Sequence, residues 1–211
     1  MLSSGMPDRR RQGTLFVVSA PSGAGKTSLC HELVARLPDV RYSVSCTTRK
    51  PRPGEVESRD YHFVDEAAFR GMIKEGAFIE WAEVYGNLYG TPRAPIREWM
   101  AKGSDVLLDI DTQGAEQLRG RYPEAVLVFI VAPSMRDLEL RLRERKSDAE
   151  AEIARRLARA RQEIALWRRY DYLVVNRDVK EALEQLASII QAERCRASRL
   201  KLTFPDLEVP E

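Results

Sequence analysis

Residues Ala20-Pro-Ser-Gly-Ala-Gly-Lys-Thr27 decide the reading of this chain, because of what stands on either side of them. Before them, Thr14-Leu-Phe-Val-Val-Ser19 is an unbroken β-branched and aromatic run, the pattern of a buried parallel strand. After them, Leu29, Leu33 and Leu37 recur every four residues until Pro38 closes a helix. Strand, Gly-rich loop and helix in that order make a phosphate cradle. Gly23 and Gly25 permit backbone angles that converge several N–H groups on one anion, and the helix N-terminus adds partial positive charge. Lys26 would reach the β- and γ-phosphates, and the Thr27 hydroxyl would ligate Mg²⁺. An ordinary glycine turn with an exposed lysine would need neither the strand nor the helix. The strict pattern opens on glycine where this chain has Ala20. The expectation is a nucleoside triphosphate site formed by Ala20, Pro21, Ser22, Gly23, Ala24, Gly25, Lys26 and Thr27.

At 211 residues the chain suits one α/β domain with inserted subdomains. With 34 basic against 32 acidic residues it is no generic polyanion binder, which argues against nucleic acid as a partner. No stretch approaches the ~20 apolar residues of a membrane helix, and no membrane partner is expected. Cys30, Cys46 and Cys195 have no CxxC spacing and cannot all pair, so reduced thiols and a cytoplasmic location are expected. His31 and His62 are the only histidines, which leaves Mg²⁺ held by oxygens as the expected metal. Residues 1–13, with Arg9-Arg10-Arg11, read as a disordered tail.

Further strands are expected at 42–45, 61–64, 78–85, 105–110, 125–132 (taken as central) and 172–175. Gly86-Asn87 reads as a turn. Helices are expected from Asp65 to about Glu75, from the residues before Pro95, at Gln113–Arg121, and from Pro133-Ser134 to a break near Lys146. Ser147-Asp-Ala-Glu150 reads as a capping box for a helix to about Tyr170, and Asp178 as the cap of a last helix burying Leu183, Leu186 and Ile190. Strands alternating with helices make a parallel sheet.

Several residues outside the loop carry chemistry. Asp109 ends an apolar strand, where open α/β sheets place their ligands, and would support Mg²⁺ through water. Asp111 lies two residues on, facing the same side or capping the next helix. Arg49, Arg52, Tyr61 and Tyr89 put two guanidinium forks and two phenols in one strand-rich insertion, a set suited to a phosphate monoester. Glu80 stands between Ile79 and Trp81. A partly buried carboxylate there can accept N1–H and N2–H of guanine, with the Ser45 and Thr91 hydroxyls completing the base contacts; adenine offers no such donor pair. From Arg136 to Arg169 eleven Lys/Arg face seven Asp/Glu. Most of these form a solvated helix face, but Arg141, Arg145 and Arg156 fit a lid that closes over a triphosphate.

Six segments in order then carry a resemblance. They are residues 19–27, Ser45-Cys-Thr-Thr-Arg-Lys-Pro-Arg-Pro-Gly-Glu55, Phe78-Ile-Glu-Trp-Ala-Glu83, Gly86-Asn-Leu-Tyr-Gly-Thr91, Leu108-Asp-Ile-Asp-Thr-Gln-Gly114 and Asp171-Tyr-Leu-Val-Val-Asn176. From about Gly13 to Lys201 the chain resembles the guanylate kinases, in which Ala20 is ordinary. The resemblance implies an α/β P-loop core with a parallel sheet flanked by helices, a strand-rich GMP-binding insertion and a helical lid. On this chain those divide as core at 14–41, 92–133 and 171–211, insertion at 42–91 and lid at 134–170. It implies Ser45, Glu80 and Thr91 on guanine, and Arg49, Arg52, Tyr61 and Tyr89 on the GMP phosphate. Glu55 and Asp111 would share that acceptor site, Asn176 would lie near the adenine of ATP, and Lys26, Arg141, Arg145 and Arg156 would stabilise the transferring phosphoryl group. Glu144 and Lys146 flank Arg145 where the family commonly has glycines. The expected substrates are ATP and GMP. Two other readings are a kinase of phosphorylated ribose, which would need no guanine reader, and a non-catalytic phosphopeptide module, which would need no complete phosphate loop.

Overall fold

A computed structural model describes residues 8–144 and 149–203. In chain order the elements are β1 (Asp8–Arg11), β2 (Leu15–Ser19), α1 (Lys26–Arg36), β3 (Val40–Tyr42), β4 (Cys46–Thr47), β5 (His62–Phe63), α2 (Glu66–Lys74), β6 (Phe78–Val84), β7 (Asn87–Pro92) and α3 (Arg93–Ala101). They continue with β8 (Asp105–Asp109), α4 (Thr112–Arg121), β9 (Val126–Val131), α5 (Met135–Glu144), α6 (Glu150–Ile164), β10 (Tyr172–Val175), α7 (Val179–Arg194) and β11 (Leu200–Thr203).

Every residue of β2 is buried, as its apolar run dictates, and the strand takes the centre of a parallel five-stranded sheet ordered β10-β9-β2-β8-β3. Successive side chains leave a strand on opposite faces. Phe16 and Val18 therefore pack with Leu29 and Leu33 of α1 and Leu183, Leu186 and Ile190 of α7. Leu15 and Val17 pack on the other face with Ile96 of α3 and Leu118 of α4. Helices on both faces of a parallel sheet make the α/β class. Placing the loop after the central strand puts it at the carboxyl edge of the sheet, flanked by the ends of β8 and β9.

A second, four-stranded sheet ordered β5-β4-β7-β6 spans the expected insertion. Its own small core is Cys46, Phe69, Phe78 and Leu88, with Phe69 and Phe78 stacked at 4.6 Å. Asp65 caps α2 by accepting from the Ala68 N–H at 2.7 Å, and Asp178 caps α7 by accepting from Glu181 N–H at 3.0 Å.

Five expectations need correction. The strand placed at 42–45 is not one: Tyr42 ends β3, β4 of the other sheet begins at Cys46, and residues 43–45 cross between them, held by the Ser43 N–H on the Leu107 carbonyl at 3.0 Å. The 125–132 run is one strand in from the edge rather than central, since hydrophobicity reports two covered faces and not lateral position. The hairpin turn is Tyr85-Gly86, both at positive φ (52° and 74°), so Asn87 already belongs to β7. In α6 the N-cap is Ala149, without a side-chain cap bond, and the helix ends at Ile164. Beyond it Tyr170 packs on Phe129 at 4.8 Å and the Asp171 carboxylate accepts from the Leu127 N–H at 2.8 Å, contacts that a continuing helix would forfeit.

The tail is the fifth. Residues 8–11 are not disordered but form β1, antiparallel to β11, a strand the sequence reading lacks. The anchor is Asp105, fully buried, whose carboxylate meets Arg11 and Arg194 and accepts from the Thr14 N–H at 2.8 Å. One buried carboxylate thereby ties both ends of the described chain to the sheet.

Candidate active site

The loop between β2 and α1 is held from below. Gly25 is the N-cap of α1 at φ 88°, a left-handed conformation that glycine adopts freely. A Cβ there would also meet the Asn176 side-chain nitrogen at 2.7 Å. That same nitrogen donates to the Ala24 carbonyl at 2.8 Å. Asn176 is thus buried against the underside of the loop, and Arg141 donates to the Asn176 carbonyl at 2.9 Å. Neither residue lines the cleft above.

On the upper side, Lys26 pairs with Asp109 at the end of β8 and donates to the Ile110 carbonyl at 2.8 Å. Burial pulls the lysine pKa down, yet the adjacent Asp109 carboxylate outweighs it and holds the ammonium above its ordinary value. Thr27 and Asp109 both face the cleft. Hydroxyl and carboxylate are hard oxygen donors, the kind that hold a magnesium ion which keeps most of its waters. Among the described residues no cluster of three or more His, Cys, Asp or Glu side chains forms a closed metal cage.

The cleft has a volume of about 250 Å³ and runs from the loop to the small sheet. Its far wall includes Ser45, Arg52, Tyr61, Glu80 and Tyr89. Glu80 lies opposite Thr91 in the β6–β7 pair and is 3% exposed. The Thr91 hydroxyl donates to Glu80 Oε1, and the Ser45 hydroxyl stands 3.3 Å from that of Thr91. Gly114 of α4 makes room for this group, since a Cβ there would sit 2.4 Å from Glu80 Oε2. Burial pushes the Glu80 pKa up to about 7, against the Thr91 hydrogen bond, which lowers it.

Beside this lies the cationic set. Arg49 donates to Tyr89 Oη at 3.2 Å and to Glu55 Oε1 at 2.8 Å, with its guanidinium 5.5 Å from the Tyr61 ring centre. Glu55 Oε2 accepts from the Arg52 N–H at 2.8 Å, and the Tyr61 and Tyr89 rings meet edge to face at 5.9 Å. Arg49 and Glu55 stand behind the wall, while Arg52 and both phenols line it. Thr47 at the end of β4 and Thr48 just beyond it hold the segment to β7 through the Leu88 backbone.

Asp111 does both things the sequence allowed. Its Oδ1 caps α4 by accepting from the Gly114 N–H at 3.0 Å, and its Oδ2 meets Arg159 of α6 at 3.2 Å inside the cleft. Arg156 also lines the cleft, and its Nε donates to Glu152 at 3.0 Å. Arg145 lies outside the described residues. The sequence reading missed Tyr85, Arg159 and Glu163, all of which line the cleft. Arg159 could have been found at three residues past Arg156 and four before Glu163, the helical spacing of one shared face.

A phosphate loop and a buried carboxylate flanked by two hydroxyls therefore open on one cleft. The guanylate kinase family model matches residues 12–193. The chain belongs to the guanylate kinase family. It is 54% identical over 192 residues to the guanylate kinase of Syntrophotalea carbinolica, covering 91% of each chain. The Bradyrhizobium diazoefficiens guanylate kinase is 50% identical over 190 residues, which cover 90% of this chain and 87% of that one. The crystal structure of guanylate kinase from Anaplasma phagocytophilum superposes with a TM-score of 0.79 at 34% identity, covering 92% of each chain. Membership in the guanylate kinase family accounts for the P-loop fold and for the sheet at 46–92 standing across the cleft from the loop.

Proposed function

We propose that this chain transfers the γ-phosphoryl group of ATP to GMP, giving ADP and GDP, and accepts dGMP as well. The observation that carries the reading is that Glu80 and Lys26 open on the same cleft. Ionised Glu80 accepts N1–H and N2–H of guanine, and the Ser45 and Thr91 hydroxyls fix the base edge. Adenine would leave a buried carboxylate facing no donor pair, which costs far more than a lost contact.

Arg49, Arg52, Tyr61 and Tyr89 hold the acceptor phosphate, with Glu55 orienting both arginines and Asp111 bounding the acceptor site. The attacking phosphate oxygen is already anionic, so no side chain needs to act as a base; catalysis is positioning plus charge neutralisation. Residues 20–27 cradle the ATP phosphates, with Asn176 fixing the loop from the adenine side. Lys26 exchanges Asp109 for phosphate oxygens, and Arg141, Arg145 and Arg156 neutralise charge on the group in transfer. Thr27 and Asp109 are the residues that would hold magnesium, which would supply neutralisation of phosphate charge when bound with ATP. In this scheme residues 42–91 receive GMP, residues 134–170 act as the lid, and residues 14–41, 92–133 and 171–211 are assigned to the core, of which 204–211 lie outside the described residues. Free Cys30, Cys46 and Cys195 fit a reducing compartment, the cytoplasm.

An ADP-release assay with ATP and Mg²⁺ tests the reading with GMP, AMP and ribose 1,5-bisphosphate as acceptors. Turnover with GMP and not AMP is expected. Turnover with the sugar phosphate alone would discard the role of Glu80, and GMP binding without turnover would discard the enzyme.

A further inference from the structure

The turn joining β6 to β7 is tied to the lid helix through a group that the transfer scheme does not use. Tyr85 holds φ 52° at the first turn position, a left-handed conformation that a bulky side chain keeps only when its surroundings fix it. Those surroundings are three arginines of α6. The guanidiniums of Arg155, Arg156 and Arg159 lie 4.7, 5.9 and 4.8 Å from the Tyr85 ring centre.

Of the three, Arg159 joins the most elements. It stacks on Tyr85 of the hairpin, meets Asp111 Oδ2 at the start of α4 at 3.2 Å, and donates to Glu163 one turn along α6 at 2.8 Å. Asp111 and Glu163 both line the cleft, where two bare carboxylates would repel the phosphates of any nucleotide. One planar guanidinium placed between them offsets one of the two charges and offers its face to the ring, a combination an ammonium cannot supply. The cleft it spans is about 250 Å³, below the roughly 300–1,000 Å³ of most ligand pockets. These contacts hold α6 close over the hairpin.

We propose that Arg159 is a positioning residue that latches α6 to Tyr85 and Asp111, thereby setting where Arg156, one turn earlier, enters the cleft. This rests on the reading of the cleft as a phosphoryl-transfer site. Without the latch GMP still finds Glu80 and the arginines of the insertion, but Arg156 is no longer held against the reacting group. The loss falls on kcat rather than KM.

Two measurements on the full chain test it. Spin labels at the exposed positions Glu83 and Ala158, in a Cys195→Ser background, report the hairpin–lid distance without nucleotide. A narrow distribution is expected for the parent chain and a longer, broader one for Arg159→Ala; identical distributions would overturn the latch. In steady state, Arg159→Ala should lower kcat about tenfold with the GMP KM changed less than about twofold, and Arg159→Lys should recover only part of it. Tyr85→Leu should lower kcat too, and the double variant should be no worse than Arg159→Ala alone. Multiplicative losses, or full rescue by lysine, would reject the shared contact. The label distance needs no turnover. A parent chain unable to phosphorylate GMP would thus sink the functional reading while the latch is decided separately.

Discussion

The Thr91 hydroxyl donates to Oε1 of Glu80, and both residues are buried on facing positions of the β6–β7 pair. The Thr91 hydroxyl and backbone and the Lys26 charge favour the ionised carboxylate, but burial outweighs them. Its pKa accordingly rises to about 7 from an ordinary 4.5. In the proposed role Glu80 must be ionised to read guanine, while its burial shifts it toward the protonated form.

The GMP affinity should therefore depend on pH in a direction that follows from this shift. With a pKa of about 7 in the free protein, Glu80 is ionised in about nine molecules of ten at pH 8 and one in ten at pH 6. The GMP KM should rise about tenfold between pH 8 and pH 6, with the ATP KM nearly constant. Calorimetry in buffers of different ionisation enthalpy should show proton release on GMP binding near pH 7. A flat GMP profile would place Glu80 outside the base site.

Glu80→Gln separates recognition from stability. A carboxylate whose folded pKa is raised contributes stability that is complete below pH 4.5 and lost as pH rises through 7. At pH 8 the charged side chain is a burden of up to about 3 kcal/mol, and glutamine removes the charge while keeping an acceptor for Thr91. The variant should melt higher than the parent at pH 8, by the order of 2 kcal/mol, and no higher at pH 4. Its preference for GMP over AMP should fall by at least about tenfold. A variant less stable at pH 8 with its preference intact would refute both halves.

Gly114→Ala tests the space around the same carboxylate. The added methyl would lie 2.4 Å from Glu80 Oε2 and 3.2 Å from the Ile110 side chain, so Glu80 must swing away. Alanine favours the helix by about 0.5–1 kcal/mol, which offsets part of the strain. The GMP KM should rise about tenfold or more while ATP binding, measured alone, stays within about twofold. Equal losses for both nucleotides would mean that α4 itself had moved.

The sequence was most legible where one residue pattern has one physical solution. An apolar run before a Gly-rich loop and a helix made the core strand and the loop unmistakable, and Asp65 and Asp178 announced their helices by capping. The α/β class followed from alternation. Residues 42–45 misled because two-residue strands such as β4 are fixed by the sheet they join, Cys46 against Gly90 and His62, and not by local propensity. β11 and β1 were invisible for the same reason: each is fixed by pairing with the other from the far end of the sequence. At the site, Ser45, Glu80 and Thr91 were expected together from donor chemistry, and they do fall together in one buried cluster. Tyr85 could not, since a ring in a turn means nothing until tertiary structure sets the Arg159 guanidinium 4.8 Å from it; Arg159 itself had only its helical spacing from Arg156 and Glu163 to mark it.

Lys26 and Asp109 form a pair whose disruption should be repairable in one respect only. Asp109 is 6% exposed at its side chain and Lys26 18%, so Lys26→Ala strands a nearly buried carboxylate. That costs about 3–5 kcal/mol when a buried pair loses one partner. Asp109→Asn in the same chain removes the stranded charge, and the double variant should recover most of the lost stability in urea titration. Activity should not follow. Lys26→Ala should lower kcat by the order of 10²–10³, because no other ammonium reaches the phosphates from the loop. Asp109→Asn should leave it lower still, having replaced the charged oxygen donor beside Thr27 with a neutral amide oxygen. Recovered turnover in the double variant would mean that Lys26 serves only to neutralise Asp109, and the loop would then hold its nucleotide by backbone alone.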